Sequence, residues 1–411
     1  MSIIKNYFHY GFFIAFAGML SIMACLGFAR FVIGMLLPSM SVNLQLNYSE
    51  MGFLSTGNFL GYLFAVLIAG RFVESYGPRA IIFVGLTVSW VSMVVISQSS
   101  YLYLIILMYL FTGIGSGFSN VAIMSLVSRW FAREYRGRAS GFIVIGSGFA
   151  IILSGWFVPY VNSLMGQEGW RINWLISAIA ICLISLTTLL IIKNNPKDIA
   201  INPIGYKEVA EESKFEKSDL HPHFYFSKIL LHIGIIYLLF GFSYVIFITF
   251  IVTTMVQEYG FSENVAGKFW SWVGLSSLMS GPLFGTLSDR LGRSKGLMIV
   301  FFIQMIAYLL VASKLGINYL YLAIVFFGIT AWSIPSIMAA TVGDYFGTIR
   351  SASAFGYITF IFGLGQISGP IAAGFLAQIT GNFTLSFVLS AITAFFAIIL
   401  SCFLKKPQRL E

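Results

Sequence analysis

The sequence predicts an all-α integral membrane protein: twelve transmembrane helices in two pseudo-symmetric six-helix bundles, with both termini cytoplasmic. Three observations predict it. Of 411 residues, 58% are hydrophobic and only 9% charged, where soluble globular chains carry roughly a quarter charged. Apolar runs of about 20 residues, long enough at 1.5 Å per residue to cross a core of roughly 30 Å, recur along the whole length. An ungapped offset of 215 residues pairs Gly70, Glu74 and Gly77 with Gly285, Asp289 and Gly292, and likewise Gly113 with Gly328, Phe131 with Phe346 and Gly141 with Gly356. Matched halves of this kind are how many transporters build a cavity near the bilayer midplane.

The elements follow in order. The run 10–38 is too long for a signal peptide and closes on no small-residue cleavage pattern, so it is the first helix. Runs 49–70 and 80–98 flank the short turn GRFVESYGPRA. Run 101–127 carries Gly113, Gly115 and Gly117, run 140–162 carries Gly141, Gly146, Gly148 and Gly155, and 172–192 ends the first bundle. The second bundle repeats the plan with 229–256, then 262–286 and 296–314 flanking GTLSDRLGRSK, then 318–342, 352–378 and 382–404. The eleventh run holds Gly363, Gly365, Gly369, Pro370 and Gly374. Small residues let helix backbones approach closely in lipid, and Pro beside Gly permits bending. None of the runs alternates as a barrel strand would, so helices are the choice. Residues 1–193 form the N-terminal bundle, 194–226 a polar cytoplasmic linker in which EVAEESKFEK has the makings of a short amphiphilic turn, 227–404 the C-terminal bundle and 405–411 a basic tail.

A net charge of +9 would suit nucleic acid, but the positions of the charges speak for a membrane. With the N-terminus inside, 20 of the 24 Lys and Arg fall on cytoplasmic segments, all but Arg30, Arg171, Lys268 and Lys314; this is the positive-inside bias. Cys25, Cys182 and Cys402 all lie within spans, odd in number and without metal spacing, so neither a disulfide framework nor a metal site is indicated. No nucleophile with a base partner, no nucleotide loop and no cofactor motif is present, which argues against an enzyme.

All fifteen acidic residues fall in loops, termini or span ends. Cation symporters usually place carboxylates along the pathway, so cation coupling would need another device. His9 and His232 read as interfacial. Positive charge does enter the bilayer, at Arg30 in the first span, about 12 Å from its Pro38 end, and at Lys268 in the eighth, about 9 Å from the start. A charge at such depth costs about 2–3 kcal/mol unless it meets water, a partner or an anion. Arg30 is therefore the first candidate to face the cavity and bind a substrate anion; the alternative is that it bonds backbone carbonyls or snorkels outward. Lys268 is a second candidate, whose flexible stem also reaches the headgroups.

The repeated Gly-x3-acid-x2-Gly-basic runs resemble the cytoplasmic signature of the major facilitator superfamily. The match is close at Gly285, Asp289, Arg290, Gly292 and Arg293 and looser at Gly70, Glu74, Gly77 and Arg79. Arg129-Trp130-Phe131 with Arg136-Gly137-Arg138, and Gly169-Trp170-Arg171, resemble the family's fourth-to-fifth link and the start of its sixth helix. LGFARFVIGMLLP, GNFLGYL and GFSYVIFITF look like a bacterial branch of that superfamily. The resemblance implies a gating latch, Glu74 near Arg350 and Asp289 near Arg136 and Arg138, with carboxylates facing helix N-termini. It also implies a cavity lined by helices one, four, seven and ten. Asn120, Tyr244, Thr249, Trp332 and Ser333 then become substrate contacts, flanked by Asn58, Tyr62 and Gln366. Two departures count: Tyr109 stands where many members carry Arg, and the fifth helix lacks the drug-antiporter Gly-Pro signature.

These readings converge on a secondary active or facilitative transporter of a small organic anion, carboxylate or sulfonate, working by alternating access between the bundles. A planar guanidinium offers such an anion a matched fork. The expected setting is the bacterial inner membrane, as a monomer with no cofactor and no nucleic-acid partner. A proton-coupled exporter of drugs or amphiphiles is the alternative.

Overall fold

In hydrocarbon every backbone polar group must find its partner within its own segment, and the apolar runs do so as helices in the computed structural model. The structure describes residues 9–206 and 227–404; the EVAEESKFEK stretch and the tail 405–411 lie outside them. Among the described residues the helices are α1 (Gly11–Asn43), α2 (Tyr48–Tyr76), α3 (Pro78–Gln98), α4 (Leu102–Trp130), α5 (Arg133–Met165), α6 (Gly169–Ile191), α7 (Lys228–Glu258), α8, in pieces Glu263–Ser277 and Ser280–Leu291, α9 (Arg293–Ser313), α10 (Ile317–Gly347), α11 (Ser353–Thr380) and α12 (Thr384–Cys402). The described residues group into two compact units, 9–39 with 57–206, and 40–56 with 227–404.

In the first unit α2 and α4 meet without side chains between them. A Cβ on Gly113 would stand 2.0 Å from the Asn58 carbonyl oxygen, and one on Gly61 would stand 2.0 Å from that of Leu110. The Gly-Trp-Arg motif acts as a staple. Arg171 donates from Nη1 to the carbonyls of Ser97 (3.2 Å) and Ser99 (2.6 Å) and from Nη2 to Ser100 Oγ (2.8 Å), pairs with Glu168 and stacks on Trp170. This ties the start of α6 to the α3–α4 turn. Arg171→Lys keeps the charge but loses the fork, so a drop of about 1–3 kcal/mol in stability is expected, read as a lower melting temperature in detergent.

The chain after α6 begins as an ordered strap. A short 3-10 turn, Pro196–Ile199, is closed by a capping box between Asn195 and Asp198. Ile204 then exchanges backbone bonds with the α4–α5 junction, its N–H on Trp130 O and its carbonyl accepting from Ala132 N–H. His9 lies 2.9 Å from the Asn202 carbonyl and Trp130 Nε1 donates to Lys193 O. The stretch expected as a linker thus starts by binding the bundle it follows.

In the second unit α8 and α10 are both interrupted, at 278–279 and 331–332. Each following piece carries a proline in its third place, Pro282 and Pro335, which cannot donate to the carbonyl four residues back. The two breaks bond each other: Trp332 N–H donates to Ser280 Oγ (3.2 Å) and Ser333 Oγ to the Ser280 carbonyl (3.0 Å). Residues 40–56 are held here as well. Gln257 Nε2 donates to Ser41 Oγ (2.8 Å), and Tyr48 donates from its hydroxyl to Gly381 O (3.0 Å) and from its N–H to Gln378 Oε1 (3.1 Å). Beside them Glu258, placed by sequence at a span end, is buried at 6% side-chain exposure. It pairs with Lys314 (3.0 Å) and accepts the Phe383 N–H (2.6 Å) at the start of α12.

Candidate functional site

Arg30 does not sit near the end of a helix that stops at Pro38. The first helix runs on to Asn43, so about 20 Å of helix lies beyond Arg30 on that side. The proline is absorbed, as transmembrane helices permit. Around Arg30 the helix is also wider than α-helical: Met23–Phe31 is a π-helical stretch, a rare form frequently found at functional sites.

Three buried side chains grip the carbonyls of this stretch. Ser116 Oγ of α4 donates to Cys25 O (2.6 Å), Asn58 Nδ2 of α2 to Ala29 O (3.3 Å), and the Tyr109 hydroxyl of α4 to Arg30 O (2.9 Å). Asn58 Nδ2 also reaches the Tyr109 carbonyl at 3.4 Å. Asn58 and Ser116 are 0% exposed and Tyr109 is 1% exposed. Tyr109 meets Trp174 of α6 edge to face at 5.6 Å.

The Arg30 side chain is itself buried, at 5% exposure. Its guanidinium carbon stands 4.3 Å from the centre of the Phe59 ring and 4.4 Å from that of Tyr62, both on α2. Such contacts attract a cation to an aromatic face. The Tyr62 hydroxyl accepts from Asn120 Nδ2 of α4 at 2.7 Å. The structure therefore brings Arg30, Tyr62 and Asn120 together, while Asn58 lies one layer behind them. Phe59 and Ser116 stand outside the residues picked from sequence, and Tyr109 is among them only as the residue standing where many members carry Arg. Phe59 was recoverable, since a residue three places from Tyr62 shares its helix face.

The second unit has an aromatic cluster of its own. Tyr237, Phe240 and Tyr244 follow one another up one face of α7, stacked on Phe362 of α11 at 4.3, 5.8 and 6.0 Å between ring centres. Gln366 Nε2 donates to the Tyr244 hydroxyl, and Trp332 meets Tyr244 edge to face at 6.3 Å. Tyr244, Gln366 and Trp332 are thus neighbours. Thr249 is buried further along α7, Ser333 is taken up by the break between α8 and α10, and Lys268 is exposed near the start of α8.

The repeated motif holds each of its turns locally. Gly77 and Gly292 take φ values of 79° and 93°, left-handed conformations that favour glycine, and each ends one helix and starts the next. Arg79 donates from Nε to the Leu189 carbonyl (2.9 Å) and from its N–H to Asn194 Oδ1 (3.0 Å). In the second copy Arg293 bridges Asp289 and Asp344, the latter at 2.7 Å, and also donates to Ser288 Oγ. Arg136 caps the end of α4 through the carbonyls of Ser128 (3.0 Å) and Phe131 (3.1 Å). Gly70, Glu74, Arg138, Arg290 and Arg350 are exposed, and Gly285 is half-buried.

The chain is 27% identical over 350 residues to the oxalate:formate antiporter of Oxalobacter formigenes, covering 81% of this chain and 77% of that one. It is 30% identical to the class B tetracycline resistance protein of Escherichia coli over 148 residues, 35% of this chain and 37% of that one. A solved structure of a bacterial homolog of the human lysosomal transporter Spinster, inward-facing and unoccupied, matches with a TM-score of 0.78 at 15% identity over 98% of this chain and 99% of that one, which speaks for the fold. A family model described as "Uncharacterised MFS-type transporter YbfB" matches residues 22–402. Since that match runs from within α1 to the last residue of α12, the chain belongs to this family and is a multi-pass membrane transporter of the major facilitator superfamily, not an enzyme.

Proposed function

We propose that the protein moves a small organic anion, a carboxylate or sulfonate, across the bacterial inner membrane by alternating access, with Arg30 as the main charge partner. The observation that carries this reading is the buried guanidinium in mid-helix, set against Phe59 and Tyr62 with the Tyr62–Asn120 hydrogen bond beside it. Guanidinium burial in a membrane is costly, and an anion received there offsets the cost with paired, charge-assisted bonds. Tyr62 and Asn120 then supply neutral hydrogen-bonding groups. Similarity to an oxalate:formate antiporter over 81% of the chain supports the same class of substrate.

A second reading, a proton-coupled exporter of drugs or amphiphiles, draws on the tetracycline resistance protein and on the uncharged aromatic cluster around Tyr244. The former similarity spans only 35% of the chain, so the anion reading is preferred. Counterflow of labelled mono- and dicarboxylates and sulfonates in proteoliposomes tests it. Saturable exchange of at least one of them is expected; transport of a neutral or cationic compound with no anion exchanged would reject it.

A further inference from the structure

We propose that Tyr109, aided by Asn58 and Ser116, is a positioning residue that aims Arg30 by holding the π-helical stretch of α1; the inference rests on the anion reading for its substrate. A π stretch bonds i to i+5 and then returns to α-helical register at Ile33. Such a change of register redirects carbonyls, and buried carbonyls require donors. In this protein the donors are side chains from two other helices. Ser116 takes the carbonyl of Cys25 near the entrance of the stretch, and Asn58 and Tyr109 take those of Ala29 and Arg30 at its exit.

The geometry ties the grip to the guanidinium itself. The Tyr109 hydroxyl bonds the carbonyl of the residue whose side chain carries the charge. Asn58 stands one residue before Phe59 on α2, and it bonds the backbone of Arg30's neighbour while Phe59 and Tyr62 meet the guanidinium. Rotating the π stretch would swing Arg30 off those two rings. Hydroxyl and amide donors in this knot are fully buried, so the register cannot drift without leaving polar groups unsatisfied.

Tyr109→Phe isolates the effect, because the ring and its contact with Trp174 remain while only the hydroxyl is lost. The expected result is a KM for anion counterflow raised about tenfold, with the maximal rate within about twofold of wild type, in keeping with the loss of one buried hydrogen bond. The same preparations are treated with phenylglyoxal, and modification of Arg30 is followed by mass spectrometry. Arg30 should react several-fold faster in Tyr109→Phe, and Ser116→Ala should shift both readouts in the same direction. An Arg30 labelling rate and a KM both equal to wild type would overturn the proposal. So would a lower melting temperature and lower maximal rate with both of those readouts unchanged, which would make Tyr109 a packing residue only. Should the wild type exchange no anion, the substrate reading falls, while the labelling rate still decides whether Tyr109 aims Arg30.

Discussion

Replacing Arg30 by Gln is expected to reduce anion exchange by at least about a hundredfold while leaving the melting temperature within a few degrees of wild type. Each hydrogen bond to a charged partner contributes about 1.5–3 kcal/mol, and a forked guanidinium makes two of them to one carboxylate or sulfonate. Gln retains a polar end but no charge. Stability should hold for two reasons. Loss of the contacts with Phe59 and Tyr62, about 0.5–2 kcal/mol, is offset by removal of a buried charge. The π stretch, moreover, is gripped through backbone carbonyls that the substitution does not touch. Arg30→Lys keeps a point charge without the planar fork and should retain an intermediate rate, about tenfold below wild type. Initial counterflow rates and a thermal melt on the same protein check the expectation. Exchange by Arg30→Gln within about twofold of wild type would remove Arg30 from the substrate site, and unimpaired export of an amphiphile by that variant would favour the exporter.

Much of this was legible in the residues. Apolar run length placed the helices, because lipid leaves the backbone few options, and a charge in a run such as LGFARFVIGMLLP stands out by its cost. The aromatic residues at 237, 240 and 244 likewise share a face by helical spacing alone. Other features were hidden for physical reasons. Pro38 reads as an end, since proline breaks helices in water, yet α1 continues to Asn43 and leaves more helix beyond Arg30. The π stretch Met23–Phe31 has no composition of its own; it exists through donors that arrive from Asn58, Tyr109 and Ser116, far along the chain. Tyr109 was read only as a missing arginine. Glu258 was placed correctly at a helix end, but its burial depends on Lys314 and Phe383, which a count of charges along the chain cannot bring together. Gly113 and Gly328 were paired by the 215-residue offset, but the offset does not say which copy is packed tightly.

That last distinction yields the largest expected effect on stability. Gly113 and Gly328 are partners in the repeat, yet alanine should be tolerated far less well at the first. A Cβ on Gly113 would lie 2.0 Å from the Asn58 oxygen, 2.8 Å from its carbonyl carbon and 2.9 Å from its Cα, all backbone atoms of α2. At Gly328 the first atom met is Ser276 Cβ at 2.6 Å, and the nearest backbone atom is the Val273 oxygen at 3.3 Å. To admit Gly113→Ala, α2 and α4 must move apart as whole helices, because packed interiors do not yield locally. Overpacking of this kind costs about 3 kcal/mol, against about 1 kcal/mol for Gly328→Ala. The displaced segment is the one that carries Asn58, Phe59 and Tyr62, so α2 would take the ring contacts of Arg30 with it. Gly113→Ala should therefore lose both melting temperature and anion affinity, whereas Gly328→Ala should lose a little of the former alone. Equal melting temperatures for the two variants, measured side by side in the same detergent, would show that α2 and α4 have room the backbone distances deny.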